Sequence, residues 1–142
     1  MRSMQAARPK GGSAGAGRAA AVAAAVAAGA NATVYLAARA AEVFPPGPFF
    51  PSTQDDPMTL GPILLVSAVA GAAGIGVYAL LRRLVREPLR VFTWIAMAVL
   101  VLSLLGPLAM TGWTAAQAWT LNLMHVIAAA AVLWQARAVD RR

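Results

Sequence analysis

Two long apolar stretches decide the fold, 60-LGPILLVSAVAGAAGIGVYALL-81 and 89-LRVFTWIAMAVLVLSLLGPLAM-110. The first contains ten Leu, Ile, Val and Phe residues, and the second contains eleven. These side chains favour insertion into a bilayer, and a helix of about 20 residues crosses a hydrocarbon core about 30 Å thick. We therefore predict that both stretches are membrane-spanning helices.

Two further stretches have the length of a span but fewer large apolar side chains. Residues 19–38 place three valines and one leucine on an alanine background, and residues 115–135 carry six Leu, Ile and Val residues. Gly106-Pro107 and the segment 111–114 separate the third span from the fourth, because both contain helix-breaking residues. The sequence predicts an all-α fold, an integral membrane antiparallel four-helix bundle over residues 18–136, with spans at about 19–38, 60–81, 89–110 and 115–135.

Composition supports this class. Of the 142 residues, 60% are hydrophobic and 12% are charged, whereas soluble domains average about 25% charged residues. This excludes an ordinary soluble globular protein, and it argues against nucleic-acid binding, which requires a solvated basic patch. The chain has no Cys, which excludes disulfides, thiolate metal sites and iron–sulfur clusters.

The basic residues predict the orientation, because short loops rich in Lys and Arg stay on the cytoplasmic side. Eleven of the twelve lie in the N-terminal segment, the loop between the second and third spans, or the C-terminal tail. Only Arg39 lies on the other side, with Glu42, Asp55 and Asp56. The net charge of +7 therefore divides into +9 (11 − 2) and −2 (1 − 3). We predict a bacterial inner-membrane protein with both termini in the cytoplasm.

The segments outside the spans are polar or rich in proline. Residues 1–17 contain Gly, Ala, Ser and basic residues without apolar periodicity, which predicts a disordered basic cytoplasmic tail. Residues 137–142 form a second basic tail. The alternative for the first span is a cleaved signal peptide ending at Ala38-Arg39-Ala40, although its apolar run exceeds the usual 7–15 residues.

The outer loop, residues 44–59, contains five prolines, which exclude a long helix or a strand interior. Its aromatic residues are Phe44, Phe49 and Phe50. One interpretation is a docking loop for a partner, with these rings as anchors. The interpretation that we favour is a stiff cap whose rings lie at the headgroup level, where aromatic residues need no partner.

Small residues within the second span predict a helix-packing stripe. Ser67, Gly71, Gly74 and Tyr78 share one helix face, and small residues let a neighbouring backbone approach closely. The stripe favours packing within the chain, with a homodimer contact as the alternative. In the third span, Pro107 cannot donate to the carbonyl of Ser103, which predicts a kink.

Polar residues at similar depth predict a candidate intramembrane cluster of Asn31, Asn122 and His125, with Ser103 or Ser67 as further members. Polar side chains at this depth usually face the bundle interior, where they serve a function or make an interhelical hydrogen bond. We favour the hydrogen bond for His125, because no second ionisable residue lies inside the spans.

The missing groups argue against several activities. No Asp or Glu lies inside a predicted span, so a carboxylate-coupled carrier lacks its coupling group. His125 is the only histidine, so a bis-histidine haem site and serine–histidine catalysis lack a second group. We expect no enzymatic activity and no cofactor.

Three segments resemble a known family: 76-GVYALLRR-83, 103-SLLGPL-108 and Leu123-Met124-His125. They are similar to segments of an uncharacterised family of small four-helix bacterial membrane proteins, common in actinobacteria. The similarity extends over about residues 71–133. It implies four helices and draws attention to Pro107 and His125, without implying an activity.

Three functions follow as hypotheses. The first is a non-enzymatic membrane protein that either associates with itself or is an accessory subunit of a larger complex, with the lipid bilayer as its surroundings and no nucleic acid as a partner. The second is a small-solute or ion pathway lined by Asn31, Asn122 and His125. The third is a cofactor-binding or sensory protein that uses His125.

Overall fold

The fold consists of four helices, seen in a computed structural model that describes residues 12–45, 58–109 and 111–141. They are α1 (Gly12–Ala40), α2 (Leu60–Leu84), α3 (Pro88–Ala109) and α4 (Ala115–Asp140). The described ranges contain no strand. Each helix is long and apolar enough to cross a membrane. The predicted all-α, four-helix membrane fold is confirmed, and the chain is a multi-pass membrane protein.

The first and last helices, α1 and α4, extend further than the predicted spans. α1 begins at Gly12, so residues 12–17 are helical where a disordered tail was predicted. The Ala-rich sequence that follows explains this, because alanine has the highest helix propensity and nothing in the segment stops the helix. α4 continues to Asp140, so most of the predicted C-terminal tail is also helical. The remainder of the predicted N-terminal tail, residues 1–11, lies outside the described residues.

α1 ends in a Schellman motif, in which the two residues after the helix return their N–H groups to its last carbonyls. Val43 donates to Ala38 at 2.9 Å, and Glu42 donates to Arg39 at 3.0 Å. Glu42 occupies the left-handed position with φ 60°, where glycine is usual. The motif turns the chain back toward the bundle, so that Val43 and Phe44 contact it.

The first turn of α4 anchors the start of the outer loop. The Nε2 group of Gln117 donates to the Val43 carbonyl at 3.0 Å, and the Phe44 ring is buried with its centroid 5.7 Å from that of Tyr35. The predicted exposure of Phe44 as a headgroup or partner anchor is therefore wrong, because this ring fills the end of the bundle. Phe49 and Phe50, with residues 46–57 of the loop, lie outside the described residues.

Short connections make α2, α3 and α4 antiparallel in succession. Val85, Arg86 and Glu87 link α2 to α3, which begins at Pro88, a residue well suited to the first helical turn. A turn containing Gly112, with φ 83°, precedes α4. The side chain of Thr114 accepts from the N–H of Gln117, whose side chain accepts from Thr114 in return, so a capping box starts α4.

Two buried apolar clusters lie at opposite ends of the bundle. One contains Ala19, Ile75, Tyr78, Phe92 and Val132, from all four helices. The other joins the C-terminal part of α1 and the N-terminal parts of α2 and α4. α1 packs most extensively against α2, and within the described residues it makes no contact with α3.

Candidate functional site

The α1–α2 interface sets the position of the candidate site. Five residues of α1 recur at every fourth position and are buried: Ala19, Ala23, Ala27, Asn31 and Tyr35. A Cβ added to Gly71 would lie 2.8 Å from the Ala23 carbonyl oxygen and from the Cα of Ala24. The two backbones are therefore nearly in contact, which is the packing that small residues permit in membranes.

The predicted stripe on α2 faces two neighbours within the chain. Ser67 and Gly71 lie against α1, whereas a Cβ on Gly74 would meet Val132 of α4 at 2.6 Å. The Tyr78 hydroxyl donates to the Asp140 carboxylate at 2.6 Å, also on α4. All four stripe residues therefore make contacts inside one chain.

One interhelical hydrogen bond lies in the middle of this interface. The Nδ2 group of Asn31 donates to the Ser67 hydroxyl oxygen at 2.9 Å, and both side chains are buried. The amide oxygen of Asn31 is also fully buried and has no hydrogen-bond partner among the described residues. A buried acceptor without a donor is costly, so this oxygen carries a local penalty.

A crevice of about 260 Å³ lies next to this pair, between α2 and α4. Asn31 and Ser67 line it from one side, and His125 lines it from α4. Its other walls are apolar: Met58, Pro62, Ile63, Val66, Ala70, Leu121, Met124 and Ala128. Within the described residues, the lining contains no carboxylate, Lys or Arg side chain. The crevice is therefore suited to a small neutral molecule.

His125 bonds to its own helix and not to the asparagines. Its Nδ1 lies 2.8 Å from the Leu121 carbonyl oxygen, which only accepts, so the geometry assigns the proton to Nδ1. The Nε2 atom of the neutral ring is then an acceptor. The Asn31 oxygen itself is fully buried, so among the polar atoms of the lining the His125 Nε2 is the acceptor that suits a ligand carrying an N–H or O–H donor.

The structure does not bring the remaining predicted residues to this crevice. Asn122 is buried with its amide oxygen unsatisfied, and it is absent from the crevice lining. Ser103 donates to the Leu100 carbonyl of its own helix at 2.8 Å. The prediction grouped these residues by depth alone, but depth does not specify which face of a helix a side chain occupies. Pro107 is buried, and α3 stays helical through it to Ala109, so the kink remains a prediction.

Several structurally important residues were not found from the sequence. Asp140, the acceptor for Tyr78, and Met58, whose carbonyl accepts from the Tyr35 hydroxyl at 3.0 Å, are 62 and 23 residues from their donors. No local pattern points to such pairs. The capping box at Thr114 and Gln117 did have a sequence signal, the spacing S/T-x-x-E/Q before an apolar run.

The comparisons with known proteins point to one family. A family model described as a family of unknown function, DUF6069, matches residues 12–142. No curated protein and no solved structure matches the chain. The match covers the alanine-rich first helix and the proline-rich loop as well as residues 71–133, so it is broader than the resemblance expected from sequence motifs. The chain belongs to the DUF6069 family of unknown function.

Proposed function

We propose that this protein is a non-enzymatic membrane protein whose copies associate through an exposed face of α1. The observation that carries the proposal is a second stripe of small residues on this helix. It is exposed, whereas the first stripe is buried. It recurs at every fourth position and is exposed along its whole length: Gly17, Ala21, Ala25, Gly29, Thr33 and Ala37.

The exposed residues of the other helices differ in size. α2 and α3 present large apolar side chains, among them Leu65, Val69, Leu80, Leu102 and Leu105. Large side chains make extensive contacts with acyl chains, whereas Gly and Ala stripes allow a second helix to approach closely. The contrast supports lipid contact for α2 and α3 and helix contact for α1. We choose a second copy of α1 as the partner, because this association requires no other protein.

A pair of glycine substitutions tests this proposal. A Cβ on Gly29 or on Gly76 would meet no atom of the described residues within 4 Å, so both sites have room there. We expect Gly29→Leu, on the α1 stripe, to shift the protein from oligomer to monomer. Gly76→Leu, on the exposed face of α2, is the matched control and should leave association unchanged. Single-molecule photobleaching in liposomes counts the copies.

Three outcomes separate the possibilities. Loss of oligomers in Gly29→Leu alone supports association through α1. A monomeric wild-type protein, or equal behaviour of the two variants, overturns it. If the wild-type protein is monomeric but co-purifies with a stoichiometric partner that Gly29→Leu loses, the same face serves an accessory subunit instead.

The proposed location is a bacterial inner membrane, with the basic end of the bundle in the cytoplasm. The support is the division of charge into +9 and −2 between the two ends. The chain has no native Cys, so Glu42→Cys and Arg86→Cys each introduce one thiol, at opposite ends. In intact cells, a membrane-impermeant maleimide should label the first and not the second; the opposite pattern reverses the orientation.

Binding of a small neutral molecule in the crevice is a second candidate function, supported by the polar residues Asn31, Ser67 and His125 in an otherwise apolar lining. The volume of about 260 Å³ lies just below the roughly 300–1,000 Å³ of drug-sized sites, so the ligand class is small. This retains the solute hypothesis for Asn31 and His125, without Asn122. The ligand would be apolar overall and would carry one N–H or O–H donor.

Indole and indene form a matched probe pair, because they have similar shape and only indole has an N–H donor. We expect indole to raise the unfolding temperature of the purified protein more than indene does. His125→Ala should remove this difference, whereas Ser103→Ala, outside the crevice, should preserve it. Equal effects of the two probes on the wild-type protein would exclude donor recognition in the crevice.

A further inference from the structure

A groove of about 700 Å³ lies at the basic end of the bundle, distant from the crevice. It is formed by the α2–α3 connection, the first turns of α3 and the last turns of α4. Arg86, Arg90 and Arg137 line it, together with Glu87, Asp140 and Trp94. Arginines from separate parts of the chain thus meet around one concave surface.

The acidic residues of the groove already have partners. Glu87 forms an ion pair with Arg90 at 3.2 Å, and Asp140 accepts from the Tyr78 hydroxyl at 2.6 Å. Among the described residues, Arg86 and Arg137 form no ion pair. The charge of the lining is +1 (3 − 2): Arg90 and Glu87 cancel, and the exposed Arg86 and Arg137 outweigh the single remaining carboxylate, that of Asp140.

The groove also has an apolar edge toward the membrane interior. Trp94 is 69% exposed and lies four residues after Arg90, about 6 Å further along the helix axis. Indole rings favour the interface between headgroups and acyl chains. Beyond Trp94, α3 presents an exposed apolar surface that includes Val101 and Leu102. A cluster of arginines is therefore followed by an exposed apolar surface on α3.

We propose that this groove binds the phosphodiester headgroup of an anionic phospholipid. Arg86 and Arg137 face the phosphate, and Trp94 lies beside the part of the acyl chains nearest the headgroup. Guanidinium groups bind phosphate oxygens through paired N–H donors. Basic pockets between membrane helices at the cytoplasmic side are suited to such headgroups. The continuity of the arginines with an apolar helix face favours a phospholipid over a free anion.

Native mass spectrometry of the full chain in neutral detergent tests the proposal. The probes are phosphatidylglycerol and phosphatidylcholine with the same acyl chains. We expect the wild-type protein to bind phosphatidylglycerol at least tenfold more tightly. Each arginine near an anionic surface contributes roughly a fivefold factor, so R86Q/R137Q should weaken phosphatidylglycerol binding roughly 25-fold. Binding of phosphatidylcholine, whose choline cation offsets its phosphate charge, should weaken much less.

The matched control is R82Q/R83Q, which removes the same charge from the last turn of α2, outside the groove lining. It should keep most of the preference for phosphatidylglycerol. R86K/R137K retains the charge and should keep most of the affinity, while E87Q should increase it. All variants alter exposed side chains, and circular dichroism checks their helix content.

Three results would overturn the proposal. Equal binding of the two lipids by the wild-type protein excludes headgroup selection. An equal loss in R82Q/R83Q and R86Q/R137Q shows diffuse attraction to the basic end and no specific groove. Displacement of phosphatidylglycerol by millimolar inorganic phosphate, which lacks acyl chains, identifies a free-anion site.

Discussion

α1 and α3 are both long enough to cross a membrane, but they contribute to the bundle in different ways. α3 is richer in Leu, Ile, Val and Phe, yet Phe92 and Pro107 are its only buried residues. α1 is mostly alanine and glycine, yet it buries a continuous stripe and packs most extensively against its neighbour.

The difference shows that membrane insertion and helix packing depend on different side chains. Large apolar residues favour transfer into lipid. They gain little from contact with another helix, because acyl chains are equally apolar surroundings. Small residues add little to insertion, but they allow close backbone contact and dispersion between helices. α3 is therefore a strong span with few protein contacts, and α1 is a weak span with many.

The largest effect is expected where α1 and α2 are closest. Gly71→Ala places a Cβ 2.8 Å from backbone atoms of α1, which cannot move without moving the helix. We expect a loss of about 1–3 kcal/mol in the free energy of unfolding. Gly76→Ala places its Cβ more than 4 Å from every other atom that the structure describes, so it should gain up to about 1 kcal/mol from helix propensity.

SDS titration of the protein in mild-detergent micelles, followed by circular dichroism, measures both variants. If Gly71→Ala were as stable as Gly76→Ala, the close contact between α1 and α2 would be absent, and the comparison with α3 would fail.

The next largest loss of stability is expected at the end of the bundle where α3 packs against Tyr78. The Tyr78 ring contacts Phe92 of α3 with centroids 5.3 Å apart, and its hydroxyl bonds to Asp140 of α4. Tyr78→Phe keeps the ring and removes the hydrogen bond, so we expect a loss of about 0.5–1.5 kcal/mol.

Amide hydrogen exchange should show the change at the last turn of α4. Asp140→Asn, which retains an acceptor oxygen, should lose less stability than Tyr78→Phe. A Tyr78→Phe variant as stable as the wild-type protein would mean that solvent replaces this bond at no cost.

A smaller effect is expected for the polar pair within the α1–α2 interface. A double-mutant cycle of Asn31→Ala and Ser67→Ala should give a coupling energy of about 0.6 kcal/mol, the average for hydrogen bonds between membrane helices. The same SDS titration measures the four proteins of the cycle. A coupling energy of zero would indicate that the hydrogen bond between Asn31 and Ser67 does not contribute to the free energy of unfolding.

The smallest effect is expected on the outer face of α3. Leu102 is 68% exposed, so Leu102→Ala should change the free energy of unfolding by less than about 0.5 kcal/mol. The measurement should be repeated in micelles and in liposomes. A loss above about 1 kcal/mol in liposomes alone would show that another protein surface covers α3 there, contrary to its proposed contact with lipid.

Much of the fold could be predicted because its signals are local. The four spans, the break at residues 111–114 and the small-residue stripe on α2 all follow from composition or from residue spacing along a single helix. The break predicted at Gly106-Pro107 does not occur, because α3 continues through both residues to Ala109. The candidate site was harder to predict. Asn31 and His125 were identified as polar residues at similar depth, but only Asn31 and Ser67 form a hydrogen bond, whereas His125 bonds to Leu121.

By itself, the sequence determined the class, the number of helices and the charge difference between the two ends, because insertion energies and loop charges add up residue by residue. Only the tertiary structure decided which helix faces meet, where Asn122 and Ser103 lie, and how Arg86 and Arg137 converge on one groove. These features depend on the rotation and neighbours of each helix, which are set by contacts between residues far apart in the chain. In a bilayer, apolar residues are stable on either side of a helix, so hydrophobicity alone cannot specify those contacts.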